Sequence, residues 1–168
     1  MADFQSFTGF ITFINDFWGS PEEGPGCIKS MTVEDNAERI VNFIVTPDTY
    51  FVEHQMVTEG DHVTGFYDAS LPVPAIYPPQ LQAIAMAKVT PCYDVKLDYF
   101  DSQLVSSDGT LKLNISPTTQ IKLENGQRFP GNPANRNLLV IYGPTTRSIP
   151  AQTTPYQIIV MCYQPGSF

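Results

Sequence analysis

Two stretches decide how this chain is read: Ile40-Val41-Asn42-Phe43-Ile44-Val45-Thr46-Pro47-Asp48-Thr49-Tyr50-Phe51 and Thr110-Leu111-Lys112-Leu113-Asn114-Ile115-Ser116-Pro117-Thr118-Thr119-Gln120-Ile121, 70 residues further on. Each is an apolar run, then Thr/Ser-Pro-x-Thr, then a second apolar run. In the later copy Leu111, Leu113 and Ile115 share one parity while Lys112 and Asn114 share the other, the period of a strand with one face buried. The earlier copy is β-branched and aromatic almost throughout, as a strand covered on both faces would be. Repetition at a fixed offset points to one supersecondary unit used twice.

The match extends outward. His62-Val63-Thr64-Gly65-Phe66-Tyr67 aligns with Asn137-Leu138-Leu139-Val140-Ile141-Tyr142 at an offset of 75. Both copies then enter a Pro-rich loop, read here as equal in length, after which residues 82–86 align with 157–161. Because Ile158-Ile159-Val160 is a strand former, 81–88 is predicted as strand and not helix. Phe7-Thr8-Gly9-Phe10-Ile11-Thr12-Phe13-Ile14 adds an N-terminal strand over about 7–17. Its counterpart in the later copy is either 94–100 or missing. Asp108-Gly109 and Asn125-Gly126 read as hairpin turns, where the glycine takes positive φ. Pro72, Pro74, Pro78 and Pro79 make 71–79 an extended loop with its apolar side chains pinned down, not a central strand. The expected fold class is all-β. It consists of two similar OB-like, small-barrel or sandwich halves from an internal duplication, 1–90 and 91–168, with little helix. The expected core is Val41, Phe43, Val45 and Phe66 in the first half and Leu111, Leu113, Ile115, Ile141 and Ile159 in the second.

The 168 residues carry 9 Lys+Arg against 17 Asp+Glu, a net charge of -8, and only 15% are charged. Phosphate backbones require clustered cations, so no nucleic-acid partner is expected. No apolar run approaches the ~20 residues of a helical span, so no membrane insertion is expected. The N-terminus has neither a basic nor a long apolar segment, which predicts a cytoplasmic protein or one released to a spore or cell surface by a non-Sec route. Cys27, Cys92 and Cys162 are an odd, dispersed set; they read as free buried thiols, with an intermolecular disulfide as the alternative.

Motifs of chemistry are sparse. His54 and His62 lie eight apart with no Cys-x-x-Cys, so a zinc site would need a convergence that nothing in the spacing announces. Asp94, Asp98 and Asp101 form a loose acidic cluster, either a weak Ca²⁺ site or a solvated strand end. There is no Gly-x-Ser-x-Gly elbow and no phosphate-binding glycine loop. Glu34, Asp35 and Glu38 crowd a turn, where solvated carboxylates belong. No catalytic residue, cofactor or metal site is assigned, and the chain is read as not an enzyme. Aromatic residues outnumber cations. Tyr67, Tyr77 and Tyr142 are the candidate stacking residues for a ligand, with Tyr50, Tyr99 and Trp18 as further candidates, and a neutral glycan suits them better than a polyanion.

Several segments together, among them Val41-Asn42-Phe43-Ile44-Val45-Thr46-Pro47-Asp48-Thr49-Tyr50-Phe51, Gly60-Asp61-His62-Val63-Thr64-Gly65-Phe66-Tyr67-Asp68, Ile76-Tyr77-Pro78-Pro79 and the stretch from Asn135 to Pro155, resemble small β-rich proteins of spore-forming, clostridia-type bacteria. The resemblance covers most of the chain and implies a Gram-positive spore former and an envelope or spore-surface setting. It transfers no catalytic residue. The leading expectation is a non-enzymatic structural protein that assembles with copies of itself into a fibre or layer. In that assembly the N-terminal strand would complete a neighbour's sheet, and Phe4, Phe7, Phe10 and Cys27 would lie at the subunit interface. The alternative is an OB-like binding module for a neutral glycan or peptide, held beside a Pro-rich loop.

Overall fold

The structure, a computed structural model, describes residues 2–17 and 26–163. Trp18 and the acidic Gly/Pro stretch at 21–25 lie outside the described residues. Within them the chain is all-β; the one helical element is a single 3-10 turn at Val52–His54. It divides into two compact units, Met1–Val89 and Thr90–Phe168.

The first unit contains β1 (Phe4–Asp16), β2 (Lys29–Glu34), β3 (Ile40–Val45), β4 (Tyr50–Phe51), β5 (His62–Asp68), β6 (Gln80–Gln82) and β7 (Ala85–Lys88). The ladder runs β1 to β2 to β3, all antiparallel. The β3–β4 segment then lies parallel to the β6–β7 segment. β7 pairs antiparallel with β5, and β5 returns to β1. Each main segment thus has two neighbouring segments, β1 meeting β5 over 4–10 and β2 over 10–16. Alternation sets the interior: Ile11, Val33, Val41, Phe43, Val63, Leu81 and Met86 form one buried cluster.

The second unit repeats the pairing. It contains β8 (Asp94–Phe100), β9 (Leu111–Leu113), β10 (Gln120–Leu123), β11 (Arg136–Tyr142), β12 (Ala151–Thr153) and β13 (Gln157–Val160). β9 lies parallel to β12 and β10 to β13, β13 is antiparallel to β11, and β11 to β8. β8 therefore stands where β1 stands, so the later copy does have its first strand, at 94–100. β2 is the element reduced in this copy. Only the bridges Phe100↔Ser106 and Val105↔Lys112 mark its place.

The shared Pro turn has the same bonds in both copies. Thr49 Oγ1 donates to the Ala83 carbonyl at 2.8 Å and Thr119 Oγ1 to that of Pro155 at 2.8 Å. The same hydroxyl oxygens accept from the amides of Thr46 and Ser116. A short hydroxyl side chain three residues after the turn's start can close the turn and tie it to the parallel neighbour at once.

Three expectations need correction. The Pro-rich loops are unequal. Phe66 lies opposite Ala85, whereas its counterpart Ile141 lies opposite Gln157, so the second connection is three residues shorter and the alignment of 82–86 with 157–161 is out of register. Ile115 is 40% exposed, not core. Its counterpart Val45 is held in β3 by Lys29 of β2, and the later copy lacks that part of β2. The apolar side chains of 71–79 are not pinned down: Val73, Ile76 and Tyr77 are exposed, because four prolines keep the loop extended and off the sheet. The remaining expected core residues, Val41, Phe43, Val45, Phe66, Leu111, Leu113, Ile141 and Ile159, are buried. Gly109 and Gly126 take positive φ in the two expected turns.

Candidate functional site

In the second unit the loop that leaves β11 folds back along β12. Thr153 Oγ1 donates to the Pro144 carbonyl at 2.9 Å. The Thr146 amide donates to the Gln152 carbonyl, and the Gln152 amide returns a bond to Thr146 Oγ1, both at 2.9 Å. The Ser148 hydroxyl meets Thr146 Oγ1 and donates to the Pro150 carbonyl. From the neighbouring strand end, Asn114 Nδ2 donates to Gln152 Oε1 at 3.1 Å. Between loop and strands lies an open cleft of about 480 Å³, lined by Asn114, Pro144, Thr145, Thr146, Gln152, Thr153 and Thr154. No charged side chain lines it. The bond to Asn114 fixes the Gln152 amide with its NH2 group still able to donate. Such a wall of amides and hydroxyls can exchange hydrogen bonds with a neutral polyol and has no charge with which to hold an ion.

The first unit places related chemistry at the matching strands. Ile11, Val33, Val41, Phe43 and Leu81 point inward, so the alternate residues form the outer face. Across it Phe13 lies opposite Thr32, Thr32 opposite Asn42, and Asn42 opposite Gln80. Gln80 occupies in β6 the position of Gln152 in β12. The register shift in β1 between Ile11 and Phe13 brings Phe13 out on the same face as Phe10. The two are 54% and 43% exposed. Phe10 stacks on His62 with ring centroids 4.3 Å apart, and Thr32 Oγ1 donates to Asn42 Oδ1 at 2.6 Å.

The sequence-predicted residues are distributed differently. β1 pairs inside its own unit, with β5 over 4–10 and with β2 over 10–16, so it is not a spare strand. Phe7 packs on the first core, tilted against Phe43, with Arg39 above it. Phe4 is partly buried at the start of the same strand, and Cys27 is exposed. Tyr67 and Tyr142 hold equivalent positions in β5 and β11, each packed against its unit's core. Burial, with Asp94 and Asp108 nearby, pushes the Tyr142 hydroxyl's pKa up. Both tyrosines are half-buried. Tyr50 is buried and Tyr99 partly buried, and among the described residues Tyr77, 76% exposed, is the one stacking candidate that stands open; Trp18 lies outside them. All three cysteines are exposed, against the expectation of buried thiols; Cys92 sits in the turn before β8 and Cys162 just beyond β13, outside the inward alternation of either strand.

Among the described residues no three His, Cys, Asp or Glu side chains converge as a metal site. Asp94 is exposed on β8. Asp98 accepts from the Tyr99 amide and Ser107 Oγ, and Asp101 from the amides of Gln103 and Val105. Asp98 and Asp101 hold down the segment that replaces β2. His54 meets the Tyr50 ring edge-on. Among the described residues no helix is long and apolar enough to cross a membrane.

Phe13, Gln80, Thr146 and Gln152 were missed from sequence. The bulge hid the outward direction of Phe13, and the three-residue difference between loops hid the match of Gln80 to Gln152. Compared with known proteins, the chain matches no family model and no curated sequence.

Proposed function

We propose that this chain is a non-enzymatic binding module of two OB-type barrels that takes a neutral glycan. The observation that carries the reading is the uncharged amide and hydroxyl cleft beside the Pro144–Pro150 loop, in a chain of net charge -8. The barrel assignment is supported by the circuit of pairings in the first unit, with a parallel contact between its third and last segments. OB barrels take oligosaccharides on the face of their second and third strands and on the flanking loops. Phe10 and Phe13 beside Thr32, Asn42 and Gln80 supply an aromatic and amide surface of that kind.

Calorimetry and amide-shift titration with neutral oligosaccharides test it. Saturable binding should perturb Asn114, Thr146 and Gln152, and Gln152→Ala should weaken it at least tenfold. A panel of neutral saccharides that leaves these amides unmoved at millimolar concentration would remove the reading.

A second proposal, self-assembly at a spore or cell surface, draws on the two exposed phenylalanines on one weakly charged face. It no longer draws on strand exchange, because β1 already has both its partners. Negative-stain microscopy of concentrated protein should then show polymers that Phe13→Ser abolishes; light scattering at monomer mass would end it.

A further inference from the structure

Nine Lys and Arg serve a chain with 17 carboxylates, so each cation has acidic partners to spare. Lys29, Arg39, Lys88 and Lys96 take them, at 2.7–3.5 Å. Arg136 lies over the Phe129 ring at 4.9 Å, and Lys112 donates to the Gln103 carbonyl at 2.9 Å. Among the described residues Lys122, Arg128 and Arg147 enter no ion pair. Lys122 and Arg128 are cross-strand neighbours.

Their geometry follows from the hairpin. The Phe129 amide donates to the Ile121 carbonyl and the Leu123 amide to that of Gln127. These bonds flank the Lys122↔Arg128 bridge without passing through it. Such a non-hydrogen-bonded pair brings its two side chains closest and on one face. Like charges directly opposite on a sheet destabilise it, yet Lys122 is partly covered and its partner is a second cation. Thr119, Gln120, Ile121 and Gly126 complete an open cleft of about 350 Å³ around them. The Asn125-Gly126 turn, with Gly126 at φ 86°, fixes the hairpin's end.

We infer that Lys122 and Arg128 form an oxyanion-binding site on this hairpin, taking a carboxylate, sulfate or phosphate group. An anion between the two side chains replaces their repulsion by charge-assisted hydrogen bonds, and the guanidinium can present two parallel N–H groups to it. The site is separate from the neutral cleft in its residues, so either can fail without the other.

The test is amide-shift titration of the full chain with sodium phosphate, sodium sulfate and sodium glucuronate, at ionic strength held constant with chloride. Saturable shifts confined to residues 119–128 are expected, and the order among the three probes separates tetrahedral anions from a planar carboxylate. Lys122→Met and Arg128→Gln should each weaken binding at least tenfold. Lys122→Met should melt no lower than wild type, because it removes a like-charge pair, so its loss of binding is not loss of fold. Shifts spread over all basic residues, no shifts, or wild-type affinity in both variants would overturn the site.

Discussion

At the scale of single residues, the two units solve the same packing problem with different atoms. Gly65 has no room for a side chain, since a Cβ there would run into the Phe43 ring. The matching positions in the second unit are Val140 and Leu113, both buried. A large residue over a small one in the first copy thus becomes two of middling size in the second. Gly65→Val alone should destabilise by at least 1–3 kcal/mol, about the cost of overpacking. Phe43→Leu should restore part of that loss, so the double variant should be more stable than the sum of the two singles in urea unfolding. Additive losses would mean that the two sites do not share one space. Asp108 gives a second prediction. Burial by itself would raise its carboxyl, but Lys96 at 2.7 Å and hydrogen bonds from Ser106 and Thr110 outweigh it and hold it well below the usual carboxylate range. A carboxyl depressed in the folded state contributes stability that is present above its unfolded pKa, about 3.9, and is lost as pH falls through the folded value. Asp108→Asn should therefore be less stable than wild type at neutral pH, and the gap between the two should narrow below about pH 4. A gap independent of pH would show that the ion pair contributes nothing.

At the scale of elements, the N-terminal strand is where physical context changed the reading most. Its pattern gave a strand, and β1 is one. What the pattern did not carry was the identity of its neighbours, because alternation specifies a face and says nothing about which edge is filled. The later copy looked one strand short because 94–100 carries Asp94, Lys96 and Asp98 at one parity, where an apolar strand would be sought. Buried Asp98 is tolerated there through its bonds to the Tyr99 amide and Ser107, so charge at an inward position masked a true strand. The Pro-x-Thr turns and both glycine turns were legible because their chemistry is local. The site was less legible, because β-bulges and loop lengths shift register without a sequence signature of their own. The consequence is testable. Deleting residues 2–16 removes a strand that pairs with both β2 and β5 and carries the fully buried Ile11. The truncated chain should lose the cooperative unfolding of the first unit and should aggregate through the exposed β2 and β5 edges. A soluble, fully folded truncation would mean that this strand belongs to a partner after all.

At the scale of the whole molecule, each unit has what a domain requires. Among the described residues the first core draws on residues from Phe7 to Met86 and the second on residues from Phe100 to Val160, and every strand pair joins elements of one unit. Folding information is therefore partitioned at about Val89, and the functional readings are partitioned with it: the aromatic face lies in the first unit, the neutral cleft and the paired cations in the second. Expressed separately, residues 1–89 and 90–168 should each give a β-type spectrum and a cooperative melt. Domains of this size bury a smaller share of their surface than larger ones, so both melts should fall in a modest range. The second unit should also be the more acid-sensitive. In place of a full β2 it relies on carboxylates that accept from loop amides and hydroxyls, and protonating Asp108 removes the acceptor on which Lys96, Ser106 and Thr110 converge. In an acid titration followed by tryptophan-independent circular dichroism, residues 90–168 should unfold at a higher pH than residues 1–89. The full chain should show the same two steps in that order. If one half stays unfolded alone under conditions where the full chain is native, the division at Val89 is not a folding boundary. If both halves lose structure at the same pH, the carboxylate network is not what holds the reduced strand in place.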